Sequence, residues 1–172
     1  DLFTNVSALT EVKKQFYRDM VKNAADDREK AAILYNYLQN NMRYVSIQLG
    51  IGGWRPFPAS FVDEKKYGDC KALSNYMKST LDVVGIRSNI IIINRDYEPK
   101  FVDEKFPMND FNHAILCIPQ INDSIWLECT SQSVPAGYLG TFTSDRYALL
   151  VTDEGGKLVR TPKYALNDNL QI

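Results

Sequence analysis

The chain has 172 residues, the size of one domain at roughly 150 residues per domain. Hydrophobic residues make up 45% and charged residues 24%, which is the composition of a folded globular chain and excludes a disordered tail. Lys and Arg number 20 against 21 Asp and Glu, a net charge of −1. That leaves no basic field to neutralise nucleic-acid phosphates and no like-charge block that reads as a membrane or polyanion tail.

The first forty residues read as helical. Val12, Phe16, Met20 and Ala24 recur every four residues and predict one apolar stripe, read as core. Asp26 with Glu29 three residues later predicts a capping-box start to a second helix. Ala31, Leu34, Tyr35 and Leu38 are its expected buried face. Residues 44–49 read as a short strand. Gly50, Gly52 and Gly53, then Pro56 and Pro58, break regular structure and predict a shaped loop. Those glycines lack the spacing of a phosphate or dinucleotide loop, which excludes nucleotide binding there.

Cys70 opens a third predicted helix, with Leu73, Met77, Leu81 and Val84 on its buried face and Gly85 as its stop. The period then changes. Residues 88–94 form a continuous β-branched run, expected to be a strand buried on both faces. The run of isoleucines at 90–93 is far too short for a bilayer, which needs about 20 residues. No membrane insertion by this domain is expected. Residues 96–110 are polar, contain Pro99 and Pro107, and predict a long loop of the lid or binding type. Two strands follow over 111–118 and 124–130, around a turn at 120–123. A second hairpin spans 147–152 and 157–160 across Glu154-Gly155-Gly156. Helices first and strands later argue an α+β fold with an antiparallel sheet. The chain reads as a single domain over 1–172, with N-terminal helices over 1–43 and a catalytic-type core over 44–160. It begins at Asp1 with no signal peptide, and reads as a piece excised from a longer chain whose adjacent domains are its expected partners.

The three cysteines, Cys70, Cys117 and Cys129, are odd in number and include no CxxC pair, so they form neither a disulfide scaffold nor a paired zinc motif. No metal is expected, since a site from three cysteines and His113 would lack paired ligands. Cys70 follows Gly68-Asp69 at a helix start, where backbone N–H groups and the dipole favour a thiolate. His113 is the only histidine and falls in a strand. Glu128 is a carboxylate inside an apolar strand, a rare placement unless paired. A turn centred between Gln120 and Ile121 sets His113 directly opposite Glu128, about 5 Å apart at Cβ. A carboxylate there would fix the imidazole tautomer and stabilise its cation. The same register puts Cys117 and Cys129 roughly 16 Å apart, so both are expected to be buried thiols.

Singly, these residues have ordinary structural readings: a small buried hydrophobe for Cys70, a hydrogen-bonded strand histidine for His113. Together they have the logic of a Cys–His–acid acyl-transfer site. The Cys70 N–H is one candidate oxyanion donor. The Gln48 amide and the Trp54 indole are candidates for the second donor or for substrate contact. A surface glutamine and a packed aromatic are their plainer readings.

Tyr67-Gly68-Asp69-Cys70-Lys71, Phe111-Asn112-His113-Ala114 and Trp126-Leu127-Glu128-Cys129-Thr130 together resemble the three motifs of the transglutaminase-like superfamily. The resemblance runs over about 44–151. It is nearest the bacterial branch found in large exported proteins, where this core follows an N-terminal β-rich domain. The glycine-rich stretch through Trp54-Arg55-Pro56 and the segment Asp145-Arg146-Tyr147-Ala148-Leu149-Leu150 also fit. The resemblance implies a papain-like α+β fold with the nucleophile helix packed on an antiparallel β-sheet. It implies Cys70 as nucleophile, His113 as general base and Glu128 as orienting acid. The acid is more often Asp in the family, and Ala72 stands where this branch commonly has an acidic residue.

The activity so implied is cysteine-dependent acyl transfer at amide bonds through a thioester, as a peptidase, amidase or transglutaminase. Its substrate would be a peptide or protein amide, and no cofactor is needed. Calcium serves some animal relatives, but no EF-hand-like loop occurs here. The family also contains inactive members, so the alternative is a non-catalytic interaction or structural module of a larger exported protein. The resemblance alone implies an extracytoplasmic location, periplasmic or at a bacterial cell surface.

Overall fold

The computed structural model describes residues 6–47, 50–96, 98, 102–103, 110–120 and 123–165. Gln48 and most of the predicted loop over 96–110 lie outside the described residues.

Helix α1 (Glu11–Val21) starts at Thr10, whose hydroxyl accepts the Lys13 N–H. Its buried residues are Tyr17 and Val21; of the predicted stripe, Met20 and Ala24 are half-buried against the core. Val12 is 79% exposed and Phe16 43%. Each four-residue step overshoots a 3.6-residue turn by about 40°, so such a stripe winds off one face. Ala24 lies beyond the helix end. The rotation of α1 is set instead by Tyr17, whose hydroxyl lies 2.8 Å from Asp63 and 2.6 Å from the Tyr76 hydroxyl. Helix α2 (Asp27–Asn41) is as the sequence predicts. Asp26 caps the Glu29 N–H at 2.8 Å, Glu29 reaches back to the Ala25 N–H, and Ala31, Leu34, Tyr35 and Leu38 are buried.

The strand expected over 44–49 is shorter. Strand β1 (Arg43–Tyr44) pairs in parallel with β2 (Tyr67–Gly68), which ends where the next helix begins and so limits the ladder. Gly50–Gly53 form a 3₁₀ turn inside the predicted loop. Helix α3 (Ala59–Lys65) has no counterpart in the sequence reading. Seven residues give too few turns for periodicity to register. It is held by Phe57 stacked on Phe61 at 4.6 Å. The helix opened by Cys70, α4 (Cys70–Val83), is therefore the fourth and not the third. It stops as expected at Gly85, whose φ of +81° suits glycine. There the Gly85 and Ile86 N–H groups bond back to Asp82 and Leu81, closing a Schellman motif.

The main sheet has the order β5-β4-β3-β6-β7, antiparallel throughout. Its strands are β3 (Asn89–Ile93), β4 (His113–Ile118), β5 (Ile125–Leu127), β6 (Tyr147–Thr152) and β7 (Gly155–Arg160). One face packs Leu116, Ile118, Ile125 and Leu127 against Leu34, Leu73, Met77 and Leu81 of the helices. The other buries Ile91, Ile93, Ile115 and Trp126 with Leu139, just before the short helix α5 (Gly140–Thr143). Strand β3 is central and its Ile91 and Ile93 are fully buried, but Ile90 and Ile92 are only half-buried. The expectation of burial on both faces thus holds for one face, because Ile90 and Ile92 border a cleft.

Two registers differ from expectation. Strands β4 and β5 place Leu116 opposite Leu127 and Cys117 opposite Trp126, a slip of two residues from the predicted pairing. Because side chains alternate with period two, such a slip leaves every residue on its own face. The last hairpin turns through Asp153 and Glu154, with Thr152 opposite Gly155, so Gly155 belongs to β7 rather than to the turn. The thiols of Cys117 and Cys129 lie in different clusters, one on each side of the sheet, and all three cysteines are free. Among the described residues no helix is long and apolar enough to cross a membrane.

Candidate active site

Cys70 is the first residue of α4, and local sequence explains why the helix begins there. Asp69, 1% exposed, is the N-cap and accepts the Ala72 N–H at 2.9 Å. Its carboxylate also holds the Lys71 ammonium. Gly68 lets the preceding chain press onto the helix, since a Cβ there would stand 2.9 Å from Ala72 Cβ and 3.3 Å from Val62 Cγ2. Ser74, one turn on, donates to the Ala114 carbonyl at 3.2 Å. That bond ties α4 to β4 at the point where His113 begins the strand.

His113 Nε2 lies 2.9 Å from Glu128 Oε1 and 3.1 Å from Oε2. The two are diagonal across the extended β4–β5 register rather than directly opposed. Glu128 stands just past β5, and several groups fix it. The Thr130 hydroxyl donates to Oε1 at 2.7 Å, the Thr143 hydroxyl donates to Oε2 at 3.4 Å, and the Tyr35 hydroxyl donates to the Glu128 carbonyl at 2.9 Å. With Nε2 committed to Glu128, Nδ1 is the ring nitrogen left to face Cys70, which lines the same cleft as His113 and is close enough for each to shift the other's protonation. All three side chains are buried.

This arrangement biases the protons. Burial opposes a thiolate at Cys70, but the His113 bond and charge and the Ala114 N–H outweigh it, and the thiol sits below its ordinary pKa. Burial likewise opposes an imidazolium at His113. Its bonds to Cys70 and Glu128 override that and raise its pKa to about 9. Burial would raise Glu128, yet His113 and Thr130 hold it below the usual carboxylate value. The other thiols go the opposite way: burial pushes both Cys117 and Cys129 up. Desolvation therefore acts on all three cysteines, and only Cys70 has partners that reverse it.

Cys70 and His113 border a cleft of about 390 Å³. Trp54 lines it too, 67% exposed, so it is not the packed aromatic of the plainer sequence reading. Gln48 lies outside the described residues. The sequence reading missed Thr130, Thr143, Tyr35 and Ser74. Thr130 had a local signal, a hydroxyl two residues beyond a buried carboxylate. Thr143 and Tyr35 come from distant segments and had none. Among the described residues, no group of three or more His, Cys, Asp or Glu side chains is placed to hold a metal ion.

The family model of the transglutaminase-like superfamily matches residues 14–134, more than half of the chain. The chain belongs to the transglutaminase-like superfamily. Cys70, His113 and Glu128 all fall inside the matched segment. Two solved structures are similar to this superfamily member across nearly its whole length. A "putative protease" from Parabacteroides distasonis matches with a TM-score of 0.66 at 14% identity, over 94% of this chain and 30% of that one. A "putative cysteine protease" from Cytophaga hutchinsonii matches with a TM-score of 0.55 at 13% identity, over 93% of this chain and 50% of that one. At such identities the likeness establishes the fold, a mixed α+β transglutaminase-like core. The chain spans half or less of the length of each of these structures. No curated protein matches it.

Proposed function

We propose that the domain is a cysteine-dependent acyl-transfer enzyme acting on amide bonds, with Cys70 as nucleophile, His113 as general base and acid, and Glu128 as the group that orients the imidazole. One observation carries the reading: the only histidine is bonded to a buried carboxylate and shares a cleft with a thiol at a helix N-terminus, whose protonation it shifts. Two neighbouring folds are named as proteases, which agrees with amide chemistry.

In this mechanism the Cys70 thiolate attacks the amide carbonyl carbon and the C=O π electrons move onto oxygen. The Cys70 N–H, in the first helical turn where backbone donors lack intrahelical partners, stabilises that oxyanion, with the Trp54 indole as the candidate second donor. Collapse breaks the C–N bond as imidazolium donates its proton to the leaving nitrogen, leaving a thioester. Water, deprotonated by His113, then attacks the thioester to give a carboxylic acid and free Cys70. An amine in place of water would give transamidation. Hydrolysis of extracytoplasmic peptides is the preferred form of the reading, following the family resemblance, with neighbouring domains of a longer chain as partners.

Alkylation by iodoacetamide, followed by mass spectrometry from pH 5 to 9, tests the reading without a known substrate. Cys70 is expected to react fast near pH 6 and to lose that in His113→Ala, with Cys117 and Cys129 as internal controls. Release of amine from a peptide pool is expected to vanish in Cys70→Ala. A Cys70 as inert as its controls favours the non-catalytic module instead.

A further inference from the structure

The cleft beside Cys70 has a polar lining that is already committed to the protein. The Lys71 ammonium is held by the buried Asp69 carboxylate. Asn75 gives its Nδ2 to the Val6 carbonyl at 2.8 Å and accepts the Ser7 hydroxyl at 3.4 Å. Asn112 donates to Asp96 at 2.8 Å and accepts the Arg95 N–H at 3.0 Å. No carboxylate occurs among the described lining residues. Most of the surface left to meet a ligand is apolar, from Trp54, Pro56, Ile90, Ile92 and Phe111.

Two of these are on the most constrained strand of the sheet. Ile92 is paired on both sides, to Ala114 of β4 and Leu149 of β6. A wall built there is rigid, and a rigid apolar wall selects by size and polarity rather than by adapting. The volume, about 390 Å³, is near the low end of the ~300–1,000 Å³ typical of ligand sites. It suits a short peptide segment rather than a folded surface.

We propose that this cleft selects the acyl donor by an apolar side chain of the leucine or phenylalanine class beside the reacting carbonyl, and rejects carboxylate and ammonium side chains. The proposal rests on the acyl-transfer reading of Cys70 and His113. A charged side chain entering this wall would shed its water without gaining an unbalanced charge of opposite sign. Lys71 does not alter this, because its charge is balanced by Asp69.

The test uses peptidyl vinyl sulfones that differ only in the side chain next to the electrophile: Leu, Phe, Gln, Asp or Lys. The Cys70 thiolate adds to the vinyl carbon β to the sulfone, the one bonded to the side-chain-bearing carbon; the C–S bond forms as the C=C π bond breaks, and the carbon next to the sulfone takes a proton. Labelling is read by mass spectrometry. The Leu and Phe probes are expected to label Cys70 faster than the Asp and Lys probes by about tenfold or more. Equal rates, or faster labelling by the charged probes, overturn the proposal. Iodoacetamide on the same protein separates the two readings. If it labels Cys70 rapidly and in a His113-dependent way while the probes are indistinguishable, the selectivity falls and the acyl-transfer reading stands. If Cys70 reacts no faster than Cys117 and Cys129, the acyl-transfer reading falls and takes the selectivity with it.

Two charge insertions add a gain-of-preference arm. Phe111→Glu changes a half-buried residue just before β4, and Trp54→Glu changes an exposed one. Each is expected to raise the Lys-probe rate relative to the Leu-probe rate. No shift in either folded variant overturns the proposal.

Discussion

His113 Nε2 stands 2.9 Å from Glu128 Oε1 although the two residues are not directly opposed on their strands. The contact is diagonal, and it survives because Glu128 has just left β5 and is held by Thr130 and Thr143. Glu128→Gln keeps the shape and removes the charge. Burial then works against Cys70 alone at His113, and its pKa is expected to fall from about 9 towards the ordinary ~6.5. With one histidine in the chain, a single imidazole NMR titration reads this directly. Cys70 loses its imidazolium partner near neutral pH, so its alkylation at pH 7 is expected to slow about tenfold for each unit its pKa rises. An unmoved His113 titration would contradict this account of the pair.

The same pair sets a pH dependence of stability whose parts oppose each other. His113 is raised by folding, so its contribution is complete below about 6.5 and is lost as pH rises through about 9. Cys70 is lowered by folding, so its contribution is present above the ordinary thiol value and is lost as pH falls through its depressed one. Above the depressed Cys70 value the folded pair holds one proton, and so does the unfolded pair between about 6.5 and 8.5; over that overlap stability is expected to vary little with pH. Cys70→Ala removes one side of that balance. Its stability, followed by urea denaturation, is expected to decline with rising pH, with a midpoint below 9 because His113 has lost one of its two raising partners. A flat profile in Cys70→Ala would show that Glu128 alone does not hold the imidazolium.

The sequence made the site more legible than the scaffold around it. Cys70, His113 and Glu128 are of scarce or misplaced residue types, and each stands where local pattern exposes it: a helix start, a strand, an apolar run. The parity of a hairpin protected the His113–Glu128 pairing even though the register was off by two residues. Helix α1 shows the opposite case. Its apolar repeat pointed to Val12 and Phe16, while the face that docks is chosen by a polar contact, Tyr17 with Asp63, between residues 46 apart in the chain. Helix α3 is invisible for another reason, since seven residues carry too little periodicity to detect. Thr143 and Tyr35 reach Glu128 from segments whose approach only the folded chain defines.

Gly68 links the scaffold to the nucleophile. It precedes Asp69 and Cys70, and a Cβ there would stand 2.9 Å from Ala72 Cβ and 3.3 Å from Val62 Cγ2. Both neighbours are fully buried, so neither α3 nor α4 has room to yield. Gly68→Ala is expected to destabilise the protein by about 1–3 kcal/mol, the usual range for overpacking. It is also expected to slow Cys70 alkylation at pH 6–7, because relief of the clash moves the first turn of α4 away from His113. Loss of stability with unchanged alkylation would show that the helix start is positioned from β4 alone, through Ser74.

Asp63 offers the converse, a buried charge that serves the fold and not the site. Tyr17 donates to it at 2.8 Å, Lys13 pairs with it at 3.1 Å, and Tyr17 in turn meets Tyr76 of α4. Burial opposes its ionisation, but the Tyr17 and Lys13 bonds and the Lys66 charge outweigh it, and its pKa is lowered. Its contribution is thus present above the ordinary ~3.9 and is lost as pH falls through the depressed value. Asp63→Ala leaves one O–H of the Tyr17–Tyr76 pair short of an acceptor in the core and takes the carboxylate from Lys13, at an expected cost of about 3 kcal/mol. For a chain of this size that is a fall in Tm of roughly 6–12 °C. The difference from the parent protein is expected to shrink as pH falls from about 4 through the depressed value, where the parent loses the charge too. Cys70 alkylation is expected to stay at the parent rate in the folded variant, since the Asp63 network meets α4 at Tyr76, well down the helix from its first turn. A slowed Cys70 would mean that the Tyr17–Tyr76 contact also sets the position of the nucleophile.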